Sequence, residues 1–151
     1  MGEEGPPIAV KIIALLVMTF SVFMILLHGY LTYIFSGPLF LTFTSVGIIV
    51  IVLFAAGILE FIGGFGLLRL KKWSWSWTLY TMLVALLMFF ALIVNLALAG
   101  EIIGGLATAA LSAMIASILL VGPILIHITV IAFLLTDEIK SVYVKNQDTS
   151  T

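Results

Sequence analysis

Apolar residues run through this chain in four long stretches, separated by short polar, glycine-containing or basic breaks. A bilayer crossing needs about 20 apolar residues in helical form. On that measure the stretches predict helices over about 8–35, 44–68, 76–99 and 106–135. Pro6-Pro7 stands before the first and Gly37-Pro38 after it, where proline suits a helix boundary. Drawn out, the first helix would measure ~42 Å against a hydrocarbon layer of ~30 Å. It is therefore expected to tilt, or to leave its first turn in the headgroups with Lys11 snorkelling. Arg69-Leu70-Lys71-Lys72 stops the second helix, and the link is so short that helices two and three should form an antiparallel hairpin. Pro123 predicts a kink in the fourth. The expected fold is all-α, an up-down-up-down four-helix bundle. It would be flanked by a polar segment at 1–7 and a polar tail at 136–151.

Composition turns these helices into membrane spans. Hydrophobic residues make up 64% of the 151 positions and charged ones 9%, with a mean hydropathy of +1.37. Soluble domains carry about 25% charged residues, so an aqueous fold is excluded. The distribution of charge sets the threading. Lys11, Arg69, Lys71, Lys72, Lys140 and Lys145 flank the same side of the four spans, whereas Glu101 is the sole charge in the connections 36–43 and 100–105. By the positive-inside rule both termini are expected in the cytoplasm of a multi-pass cell-membrane protein. Trp73, Trp75, Trp77 and Tyr80 stand beside Arg69, Lys71 and Lys72 and read as interface anchors in an aromatic belt. The first stretch exceeds the ~7–15 residues of a signal-peptide core and reads as a retained span. The chain has no cysteine, which removes disulfides, thiolate metal sites and thiol nucleophiles. Six scattered cations form no nucleic-acid patch.

Small residues mark the faces that pack. Ala56, Gly57, Gly63 and Gly64 give the second helix a thin stripe, and Ala91, Asn95 and Ala99 form a row on the third. Close backbone approach follows small-xxx-small spacing of this kind.

Four polar side chains lie inside the spans: His28, Glu60, Asn95 and His127. Glu60 is nine residues from Arg69, and His127 nine residues from Thr136 on an oppositely threaded helix. At 1.5 Å per residue both lie ~13 Å below the same surface, so a Glu60–His127 contact is geometrically open. A carboxylate at that depth costs several kcal/mol unless paired or protonated. His28 and Asn95 are expected nearer the outer surface. The four could form a proton-linked polar pathway. Alternatively, each could make one interhelical hydrogen bond that fixes packing, worth ~0.6 kcal/mol on average. Haem is disfavoured, because a bis-histidine site needs two ligands at one height and His28 and His127 are offset. Zinc would want a fuller ligand set than Glu60, His127 and His28. No nucleophile elbow and no phosphate-binding loop is present, since Gly63-Gly64-x-Gly66 precedes no lysine–serine pair.

The segment from Gly57 through Glu60, Gly63, Gly64 and Gly66 to Arg69-Leu70-Lys71-Lys72-Trp73 resembles a stretch found in uncharacterised four-span membrane proteins of bacteria and archaea. There, a helix with an embedded glutamate and glycines ends in a leucine-rich basic turn followed by tryptophan. The resemblance covers one hairpin. It implies the four-span fold and a recurring Glu60, and brings no activity with it.

These features favour a small non-catalytic integral membrane protein, acting as an accessory subunit of a larger membrane complex or as a homo-oligomer. Its partners would be lipid and other membrane subunits or further copies of itself. The alternative is a proton-coupled transporter or channel using Glu60 with His127. A haem-binding redox subunit is a distant third, and no cofactor is predicted.

Overall fold

The computed structural model describes residues 6–34 and 45–145, and their side chains except at 34, 45, 144–145 and most positions between 99 and 119. The expected connection 36–43, the end of the polar tail and the side chains of Ala99 and Glu101 lie outside the described part of the structure. Everything described is helix or tight turn: α1 (Ile8–Ile34), α2 (Ser45–Leu68), α3 (Lys72–Leu134) and α4 (Asp137–Lys145). Three helical segments are long and apolar enough to cross a membrane: Ile8–Tyr33, Val46–Leu68 and Lys72–Leu98. A fourth crossing results if Leu120–Leu134 and Asp137–Tyr143, bent by 66° at their junction, count together.

The third and fourth expected helices are joined in one helical run, α3. As a straight rod its 63 residues would measure ~95 Å. Yet Trp75 Nε1 donates to the Leu134 carbonyl at 2.7 Å, and the Phe89 and His127 rings lie 5.3 Å apart. The run therefore doubles back, and its first arm (Lys72–Leu98) lies antiparallel to its second (Leu120–Leu134).

The turn between α2 and α3 is a Schellman-type helix end. Lys71 N–H bonds the Gly66 carbonyl and Leu70 N–H the Leu67 carbonyl, each at 3.0 Å. The left-handed slot is filled by Leu70, at φ 49°, where glycine is usual. Leu70 packs on the apolar core at this end, which offsets the ~1–2 kcal/mol that left-handed backbone costs an L-residue.

Two apolar clusters fill the interior. One joins Val10, Ala14 and Val17 of α1 to Leu67, Met82, Val130 and Leu134, and receives Ile139 and Tyr143 from α4. The other joins Phe20 and Met24 to Leu53, Ala85, Phe89 and Leu120. Tyr143 donates to the Leu67 carbonyl at 3.1 Å, and burial pushes its phenol well above the usual range, keeping it a donor. The expected polar tail is thus partly a docked amphipathic helix. Alternation of Ile139 and Tyr143 with exposed Glu138, Lys140 and Ser141 explains why it docks. Lys11, Arg69, Lys71, Lys72 and Lys140 are all exposed around the end where these termini meet; it is called the basic end below.

The glycines of α2 serve two faces instead of the single expected stripe. A Cβ on Gly57 or Gly64 would press on α1 (at Gly64, 2.8 Å from Met18 Cγ and 3.3 Å from the Ala14 carbonyl). One on Gly63 would strike the Thr78 hydroxyl of α3, and one on Gly66 would lie 2.6 Å from Ser74 Cβ.

Candidate functional site: a buried glutamate–histidine pair

Glu60 faces into the bundle because its neighbours on α2, Ala56 and Gly64, let α1 and α3 close around it. His127 reaches the same point from the second arm of α3. Its Nε2 lies 3.0 Å from Glu60 Oε1, and both residues have 0% exposure. Phe20 and Phe89 hold the imidazole edge-on from two sides, with centroids 5.2 and 5.3 Å away. The pair sits between the two apolar clusters, with buried Ser21 and Thr78 on the flanking helices.

Hydrogen-bond arithmetic fixes the proton count. His127 Nδ1 lies 2.8 Å from the Pro123 carbonyl, which can only accept, so Nδ1 carries a proton. A neutral ring then offers Nε2 as an acceptor, and the 3.0 Å contact to Oε1 needs a protonated carboxyl. If Nε2 instead carries a proton, the ring is a cation facing a carboxylate. Either way the contact is held by one proton lying between Glu60 and His127. Glu60 Oε2 and Thr78 Oγ1 are buried and have no hydrogen-bond partner among the described residues.

The other two expected polar residues do not join this bond. His28, 2% exposed, bonds the Met24 carbonyl of its own helix through Nδ1 at 2.8 Å, and Asn95 bonds the Ala91 carbonyl one turn back at 2.8 Å. Among the described residues each makes its hydrogen bond to the carbonyl four residues earlier in its own helix, where an interhelical bond was expected. His28 nevertheless lies near the pair: its ring is 6.5 Å from that of Phe89, and Glu60 is close enough to act on it electrostatically. Sequence reading missed Phe20, Phe89 and Thr78, whereas the spacing of Ser21, seven residues before His28, does place it on the same stripe of the first helix.

The aromatic belt divides. Trp73, Trp77 and Tyr80 are exposed, and Trp73 packs edge-on against Trp77 at 6.2 Å. Trp75 turns inward to hold the end of α3, and Trp77 also ties α3 to the Leu59 carbonyl of α2 at 3.1 Å. Arg69 covers the Phe65 ring at 4.3 Å. Among the described residues no three His, Asp or Glu side chains gather to hold a metal ion.

No family model, curated protein or solved structure matches this chain. The likeness of the Gly57–Trp73 hairpin to four-span prokaryotic proteins thus stays a resemblance of sequence.

Proposed function

We propose that this is a small, non-catalytic membrane subunit, threaded four times through the bilayer with its basic end in the cytoplasm. We further propose that its Glu60–His127 pair binds one exchangeable proton. Removing that proton sets a carboxylate against a bare nitrogen lone pair, so the contact holding the second arm of α3 to α2 is lost. The proton thereby selects between two packings of the bundle, the kind of bistable element through which protonation acts. The 3.0 Å contact together with the Pro123 carbonyl on Nδ1 carries this reading. The exposed cations gathered at one end support the orientation. Four helices leave little room for a private conduit, so the protein would act within a homo-oligomer or a larger complex.

Infrared difference spectroscopy in liposomes tests the proposal. A protonated-carboxyl band that changes along a pH titration, and that Glu60→Gln removes, is expected. Proton-dependent flux abolished by the same variant would make the protein a transporter. Unchanged flux would leave the subunit reading, to be followed by mild-detergent pull-down and mass spectrometry. The sealed setting favours one second reading, a permanent clasp that only fixes helix register. A carboxyl band indifferent to pH would establish the clasp instead.

A further inference from the structure

Beside the pair, but not part of it, lies a cavity of about 390 Å³ between α1 and the two arms of α3. Its walls include Phe23, Leu31, Phe89, Leu96 and Pro123, and among the described lining residues His28 is the single polar side chain. Pockets for small ligands begin at about 300 Å³. His28 is fixed in one tautomer: with Nδ1 donating to the Met24 carbonyl, the neutral ring keeps its lone pair on Nε2. Phe23, 51% exposed, brings the cavity wall to the outer face of α1.

We infer that this cavity binds a lipid-soluble phenol, its hydroxyl donating to His28 Nε2 and its ring seated between Phe23 and Phe89. An acyl chain would fill the same volume but would offer the His28 Nε2 lone pair no donor, whereas a hydroxyl supplies one. A quinone carbonyl or an ether also brings no donor. The aromatic walls favour a ring over a linear alcohol. The bilayer supplies the route, since such a compound partitions into lipid and meets the cavity from the side. The inference does not depend on the proton exchange proposed for Glu60 and His127.

The chain has two histidines, so its nitrogen-15 histidine spectrum in detergent holds two rings to follow. Para-hexylphenol is the probe and para-hexylanisole, the same molecule without its donor, the control. A saturable shift of the His28 Nε2 signal is expected, with the phenol about tenfold tighter than the ether, the value of one net hydrogen bond. His28→Leu assigns the signal and should bring the two affinities together. If it fails to fold, His28→Asn gives the assignment, and the phenol-to-ether ratio is read on the unaltered protein. Equal affinities, a shift confined to His127, or no saturation would each overturn the inference.

Discussion

Replacing His127 by leucine leaves the Glu60 carboxyl buried with both oxygens unpartnered, which should cost about 1–3 kcal/mol. Removing both partners, in Glu60→Leu with His127→Leu, should cost less than the sum of the single changes, because apolar side chains can replace a buried pair with little loss. Reversible unfolding in mixed micelles measures the cycle; strict additivity would mean that the pair contributes nothing jointly. The pair was legible in sequence because counting residues from each basic edge places two polar groups at one depth. Its surroundings were not. Phe89 stands in a uniformly apolar run and Phe20 among other large apolar side chains of the first span, where an aromatic carries no distinguishing signal. The bonds of His28 and Asn95 to their own helices were equally hidden, since spacing does not show whether a side chain looks across or back.

Single helices respond to substitution by how closely their neighbours approach. Gly64→Ala puts a methyl against Met18, Val17 and the Ala14 carbonyl, and the backbone atom cannot give way as a side chain can. A loss of about 1–3 kcal/mol is expected. Gly122→Ala meets nothing within 4 Å outside its own helix backbone and chain neighbours, but its Cβ crowds the Pro123 ring, so the ~1 kcal/mol gained in helix propensity should be largely offset and the change near neutral. Thr78→Val keeps the shape opposite Gly63 and removes an unpartnered hydroxyl, so it too should be neutral or stabilising. A Thr78→Val variant that unfolds more readily would show that the hydroxyl has a polar partner in the membrane. The small residues of α2 announced close packing, but their division between two faces depends on rotation about the helix, which no single stripe predicts. Gly66, weighed only as part of a phosphate-loop pattern, was left out of the packing stripe. Gly100, Gly104 and Gly105 read as a break, and the chain does reverse between Leu98 and Leu120, but spacing alone did not show that the connection is itself largely helical.

For the whole molecule the decisive question is which way the basic end faces, and the absence of native cysteine makes it directly measurable. Lys71 lies in the turn after α2 and Ser141 on the docked tail helix, both exposed at the basic end, while Tyr33 is exposed at the far end of α1. In sealed cells, Lys71→Cys and Ser141→Cys should resist a membrane-impermeant maleimide until the bilayer is opened, whereas Tyr33→Cys should react at once. Opposite labelling would invert the threading. It would also move the proposed proton site to the other face, because Glu60 and His127 are each about two and a half turns from the basic end. Labelling of Ser141→Cys and Lys71→Cys from different sides would do more harm. Tyr143, two residues beyond Ser141, is bonded to the Leu67 carbonyl just ahead of Lys71, so such a result would require the tail helix to leave the bundle. Tyr143→Phe addresses that contact on its own. Losing one hydrogen bond, about 1 kcal/mol, should quicken proteolysis of the tail several-fold and leave the spans protected. If the spans opened with it, the docked helix would be part of the bundle's closure and not an appendage to it.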